Sequence, residues 1–315
     1  MTTSGSSDYN PNRNAMISRS ARIVGAIKAG ETMGAQEVTD FSDALNAMVK
    51  AWVASPNMRV WTVSEATLFP QASQVKYALA SGSADHATET YYETALSAAE
   101  ASGQTTLSVG STANMTVADY IGIVLDSGSM QWTTISSKTS TTVTVATALT
   151  GAAASGNAVF NYTTKIVRPI KIVDARLYNI AGATETSLGP MMARLDYQNL
   201  SVKTQNGSIN QVFYDPQLAT GYLYLRQPVS SVQDLVKFTW HRPIMDFDSA
   251  ANTADLPQEW IRAIVWNLAD EMQEEYDVPE PKSSRISARA QGYLADVGGF
   301  DRETESIELG VDMSP

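Results

Sequence analysis

The chain has 315 residues, a length that fits about two domains. Charged residues make up only 17% of it, against about 25% in an average soluble domain, yet 33 acids against 22 bases leave a net charge of −11. The absence of cysteine and the presence of only two histidines, His86 and His241, exclude disulfides, thiolate chemistry and a multi-histidine metal site within one chain. No apolar run reaches the roughly 18–20 residues that span a bilayer. Residues 1–7 lack the basic and apolar regions of a secretory signal. These features predict a soluble, acidic protein of cytosol-like surroundings, without a membrane partner and without a Lys/Arg surface built to grip phosphate backbones.

Residues 1–12 are small and polar and read as a flexible arm. A first helix is predicted from about Arg13 to Ala29, with Ile17, Ser20, Val24 and Ile27 on one face and Gly30 as its stop. A second runs from about Ala35 to Ala54, where Val38, Phe41, Leu45, Met48 and Trp52 make an unbroken stripe before Pro56. Together they predict an antiparallel helix pair. The middle of the chain is strand country. Val75 to Leu79, Ile170 to Val173, Tyr222 to Leu225 and Val236 to His241 alternate with period two, between turn signals such as Asn206-Gly207 and Asp215-Pro216.

Within it, residues 98–164 change character. Their charges are Glu100, Asp119, Asp126 and Lys138, and the remainder is Thr, Ser, Gly, Ala and short apolar runs. Leu107/Val109, Ile121/Ile123/Leu125, Trp132/Thr134, Val143/Val145 and Phe160/Tyr162 fit at least five short strands of a small β-sandwich or barrel module.

Helices return at the far end. Asp255, Pro257 and Glu259 suit a helix N-terminus, followed by a stripe of Ile261, Ile264, Val265, Leu268, Met272 and Tyr276. After Pro279 and Pro281, Ser283 or Ser284 caps a last helix with Ile286, Ala290, Tyr293 and Val297 on one face, closed by Gly298-Gly299. The remainder is an acidic tail with isolated Ile307, Leu309 and Val311. The predicted fold class is α+β. Helix pairs 13–57 and 255–299 form one bundle, a β-rich domain spans 58–97 and 165–254, the module at 98–164 is inserted into it, and 300–315 is an extended tail.

Site chemistry is absent from the pattern. There is no phosphate loop, dinucleotide-binding glycine motif or serine-hydrolase elbow. His86 is followed by Ala87-Thr88-Glu89, which is not the spacing of a zinc deaminase. Asp246 and Asp248 begin a calcium-loop-like run, but Ala250, Ala251 and Pro257 stand where a ligand, a glycine and a glutamate belong. No carboxylate pair sits at an apolar strand end as a glycosidase needs. His241 reads as the outward face of a strand. Trp266 falls off the core stripe of its helix, and therefore packs on the β region, meets another subunit or stays exposed; a large aromatic off the stripe marks a candidate subunit or domain interface. No enzyme activity, cofactor or metal follows from these residues.

The helical ends carry a resemblance. Asp43-Ala44-Leu45-Asn46-Ala47-Met48-Val49-Lys50-Ala51-Trp52, then Leu256-Pro257-Gln258-Glu259-Trp260, Asn267-Leu268-Ala269 and Glu275-Tyr276, resemble in order and spacing the head-to-tail adaptors (tail accessory or head-completion proteins) of short-tailed bacteriophages. Val212-Phe213-Tyr214-Asp215-Pro216 with Leu223-Tyr224-Leu225 and Pro228 resembles the sheet region of longer members. The resemblance implies a virion protein of the tail neck, assembled in the host cytoplasm as a ring of commonly twelve copies. The ring lies between the portal protein and the tail nozzle with its fibres or spikes, and DNA passes through without sequence-specific binding. It also implies that the tail bearing Ile307, Leu309 and Val311 docks on the portal. Twelve copies carry a formal charge of about −132, so Asp40, Asp43, Glu271 and Glu274 are candidate acids lining a bore that repels DNA.

Two other readings are weighed against this. In one, the chain is a virion or cell-surface binding module whose β insert recognises a glycan or receptor through a concave aromatic patch including Trp132. In the other it is a cell-wall glycosidase, which requires paired acids in a cleft.

Overall fold

The computed structural model describes residues 5, 8–54, 62–229, 232 and 234–300. In chain order the first elements are α1 (Arg13–Val24), α2 (Ala35–Ala54), β1 (Val63–Leu68), β2 (Lys76–Leu79) and β3 (Ala87–Thr88). Next come β4 (Tyr92–Ala95), β5 (Thr106–Ser108), β6 (Tyr120–Val124), β7 (Met130–Lys138), β8 (Thr142–Val145) and β9 (Ala158–Tyr162). The chain continues with β10 (Lys171–Asn179), β11 (Thr184–Ser187), α3 (Arg194–Gln198), β12 (Gln211–Pro216), β13 (Gly221–Arg226) and β14 (Asp234–His241). It closes with α4 (Trp260–Met272) and α5 (Lys282–Phe300). Two compact units result, one of Met1–Thr62 with Ile244–Pro315 and one of Val63–Pro243. The architecture is mixed α+β, with helices from both chain ends packed together and antiparallel sheets between them in sequence.

In the helical unit, α1 starts where the Asn12 side chain accepts a hydrogen bond from the Ala15 N–H at 2.9 Å. It ends at Gly25, not near Gly30. Gly25 takes the left-handed conformation (φ 98°) and its N–H returns to the Ala21 carbonyl at 3.0 Å. Glycine adopts that conformation without a Cβ clash, so the first glycine reached ends the helix. Ile27 stays buried beyond it, which is why the apolar spacing continues past the helix. The carboxylate of Glu37 accepts the Gly34 N–H at 2.8 Å and fixes the start of α2. Phe41, Leu45, Met48, Val49 and Val53 of α2 are buried, each worth about 1.5–3 kcal/mol of apolar transfer.

α4 is the central helix and packs against α1, α2 and α5. Trp260, Ile261, Ile264, Val265, Leu268 and Met272 are all buried. It stops at Met272, one turn short of the predicted Tyr276, which lies in the following turn but still packs on Phe41 at 5.6 Å between ring centroids. α5 buries Ile286 and Ala290 and runs through Gly298 and Gly299 to Phe300.

In the β unit a five-stranded sheet, β11-β10-β14-β1-β3, shares one core with a three-stranded sheet, β12-β13-β2. Leu68, Phe238 and Trp240 from the first meet Tyr77, Leu223 and Leu225 from the second. The third sheet, β4-β9-β6-β7-β8-β5, is a curled six-stranded half-barrel around Leu107, Ile121, Ile123, Val143 and Val159. It begins at Tyr92, ahead of the composition change at 98. A bulge at Ser136 in β7 adds to its bend.

Both passages into these layers are closed by pairing. Val63 at the start of β1 lies opposite His241 at the end of β14. At the half-barrel, the Ile166 N–H donates to the Ala87 carbonyl at 3.0 Å, and the Thr88 hydroxyl to the Thr164 carbonyl at 2.8 Å. His241, expected on an outward face, is buried at 8% exposure, and its neighbour Trp240 at 1%. The last residues of β14 are covered on both faces, which period-two alternation along one strand does not reveal.

Candidate functional site

The site-like geometry of the helical unit lies where α4 meets α5 and α1. Trp266 is half-buried, and its ring meets Tyr293 of α5 edge-on at 5.9 Å. The Arg289 guanidinium sits 5.0 Å from the Trp266 ring and that of Arg262 3.9 Å from the Tyr293 ring, with Arg262 also donating to the Tyr293 hydroxyl. Trp266 therefore packs on the last helix, an option outside the three expected for it. The reason is that α4 has neighbours on several sides, so a residue off its main stripe still finds a helix. A groove of about 270 Å³ opens beside it, lined by Ile23, Trp266 and Ile286 and by Lys282, Arg285 and Arg289. The Lys282 ammonium is anchored on the Val24 carbonyl at 2.8 Å. Arg285 and Arg289 are exposed.

These cations were not foreseen from sequence, although a signal exists. α1 carries no acid at all, and Asp296 is the single acid of α5.

The acidic residues gather elsewhere in the same unit. Tyr276 has its pKa raised, first by burial and then by the carboxylates of Glu37, Asp40 and Glu275. Asp40 is half-buried, whereas Asp43, Glu271 and Glu274 are exposed. Asp43 lies apart from this group, in a shallow cleft with Arg13, Asp246 and Asp248. Of the four acids singled out in the sequence, the structure thus brings Asp40 into a cluster and sets Asp43 aside. Ile307, Leu309 and Val311 lie outside the described residues.

In the β unit the aromatic residues meet between the half-barrel and the five-stranded sheet. Phe69 packs against Tyr91, Trp132, Phe160 and Tyr162. His86 stacks on Trp132 with centroids 4.0 Å apart, and its Nδ1 is 2.5 Å from the Tyr162 hydroxyl. Burial, with the nearby charge of Lys165, pushes the His86 pKa down to about 3. Trp132 also lies over Gly122, where an added Cβ would stand 2.7 Å from the indole ring. Its ring, half-buried, thus packs on His86 and Gly122 at the junction.

A cleft of about 940 Å³ in this unit is lined by Glu93, Val124, Asn157, Asn179, Ile180 and Val232 among others. Burial raises the pKa of Glu93, the one carboxylate among the described residues that line the cleft. Among the described residues no three His, Asp or Glu side chains converge as a metal site requires. No helix among them is long and apolar enough to cross a membrane. Neither a protein-family model nor a curated protein sequence matches the chain.

Proposed function

We propose that this chain is a structural head-to-tail adaptor of a short-tailed bacteriophage. It forms a ring between the portal and the tail nozzle with its fibres or spikes, seals the packaged-DNA vertex and leaves a conduit for DNA. The observation that carries the reading is the joining of the two chain ends. α1 and α2 pack with α4 and α5 as one helical unit while the fourteen strands found among the described residues lie between them in sequence. This is the layout implied by the resemblance of Asp43–Trp52 and Leu256–Tyr276 to adaptor helices.

In this reading identical helical units contact one another head to tail, and the rotation between neighbours closes the ring. Asp43 and Glu271 are assigned to the bore, where like charge keeps DNA from adhering. The tail carrying Ile307, Leu309 and Val311 docks on the portal, and the β unit meets the tail components. The test is the mass and negative-stain symmetry of the full chain, alone and mixed with the portal of the same phage. A closed ring on the portal is expected. A chain that stays monomeric in the mixture overturns the proposal.

A further inference from the structure

One helix end in this fold carries charges of the wrong sign for its own dipole. The C-terminal end of α4 is followed by Glu274 and Glu275 after Asp270 and Glu271, with no base in its last turn. A carboxylate there faces the negative end of the helix and is unfavourable in an isolated subunit. At the N-terminal end of α5, Glu280 accepts the Ser284 hydroxyl at 2.5 Å and the Ser284 N–H at 3.4 Å, the Lys282 ammonium is bonded to the Val24 carbonyl at the end of α1, and Arg285 stands exposed beside them. Among the described residues no ion pair joins Glu274 or Glu275 to Lys282, Arg285 or Arg289, and Lys50 pairs with Asp246 elsewhere in the unit at 2.5 Å. The cations instead rim the groove of about 270 Å³ whose floor is Ile23, Trp266 and Ile286, while Asp40 and Glu275 gather at Tyr276.

We infer that this groove receives the acidic face of a second copy of the chain, formed by Asp40, Glu274 and Glu275. The inference rests on the adaptor reading and names its subunit contact. Each copy offers one basic groove and one acidic face, so the contact is heterologous and repeats from copy to copy. The acidic end of α4 is then met by opposite charge from its neighbour. Asp40 and Glu274 belong to this contact and not to the bore. The apolar floor around Trp266 supplies the water-excluding centre, and the charges supply orientation and rate.

The test uses two charge reversals in the full chain, Arg285→Glu with Arg289→Glu, and Asp40→Lys with Glu274→Lys and Glu275→Lys. Assembly is read by mass photometry and negative-stain averaging, with and without portal rings. Each variant alone brings like charges together and lowers the apparent association constant more than about tenfold. An equimolar mixture recovers rings, because the two variants alternate with every contact complementary. Arg285→Gln with Arg289→Gln weakens assembly less than the reversal, and wild-type assembly declines with added salt. Circular dichroism melts of the variants match the wild type. Rings that survive both reversals, or variants of wild-type melt that fail to recover on mixing, overturn the contact while leaving the adaptor reading intact. Intact rings with lost retention of DNA on the Arg285/Arg289 reversal mean that the groove takes phosphates, and likewise overturn it. A wild-type chain that never assembles on the portal overturns both.

Discussion

In the half-barrel every charged side chain between 98 and 164 is bonded to the module's own backbone, whereas the charges of the helical unit stand mostly on open helix faces. Glu100 accepts the Ser108 N–H at 2.7 Å, and Asp119 accepts the Thr116 N–H at 2.7 Å and the Thr163 hydroxyl at 2.8 Å. Asp126 accepts the Ala154 N–H at 2.8 Å, and Lys138 donates to the Thr112 carbonyl at 3.0 Å. Four charges in the module are thus loop fasteners. Arg262, Glu271, Glu274, Arg285 and Arg289 of the helical unit are exposed. A carboxylate that holds a buried loop works for stability, and one that waits on a surface works for association.

The sharpest way to break this contrast is Asp119→Ala. Asp119 is 2% exposed, so its loss strands several donors and lowers unfolding free energy by about 3 kcal/mol in urea titrations. Arg285→Ala in the helical unit changes it by less than about 0.5 kcal/mol. Equal effects would erase the distinction. Next in size is Gly122→Ala, which forces a methyl group against the Trp132 ring that His86 holds in place; a loss of about 2 kcal/mol is expected by the same measurement.

A third prediction concerns pH. Folded His86 stays neutral down to about 3, while the unfolded chain takes up that proton below about 6.5. Folding stability therefore declines as pH falls through this window and levels off below it, because the unfolded state binds more protons. His86→Phe keeps an aromatic ring on Trp132 and removes this part of the pH dependence. Identical slopes for wild type and variant would place the proton elsewhere. The smallest effect is expected at the surface network of Arg176 with Glu65 and Glu185, extended by Lys237 to Glu185 at 2.6 Å. There Glu65→Gln costs about 0.5 kcal/mol, and less in high salt.

What was legible in the sequence follows from how each element is stabilised. α2 matches its predicted limits because one face alone is apolar, and β13 alternates Tyr222, Leu223, Tyr224 and Leu225 as half-exposed and buried in turn. Elements held by main-chain pairing left no such trace. β4 shows exposed or half-buried residues throughout, and β11, Thr184 to Ser187, is exposed along its length. Neither has an apolar face to read. The α4–α5 groove joins Ile23, Trp266 and Arg289 from three different helices, so it was announced in the sequence only by the isolation of Trp266 from its stripe and by the scarcity of acids in α1 and α5. The packing of Trp132 was hidden for the same reason, since His86 and Gly122 reach it from distant parts of the chain.

The paired necks of the β unit bear on how the chain reaches its fold. Bringing α2 and α4 together from a loose chain closes a loop of about 205 residues, an entropic term on the order of 5 kcal/mol by the logarithmic loop law. A β unit that has already set Val63 opposite His241 has met that term, and what remains for the helices is a short local search. The Ala87–Ile166 and Thr88–Thr164 bonds do the same for the half-barrel one level down. The sequence is thus a nest of closed loops, in which each inner layer shortens the one outside it. Residues can be added to or removed from the half-barrel with little change in the distance the helices must search.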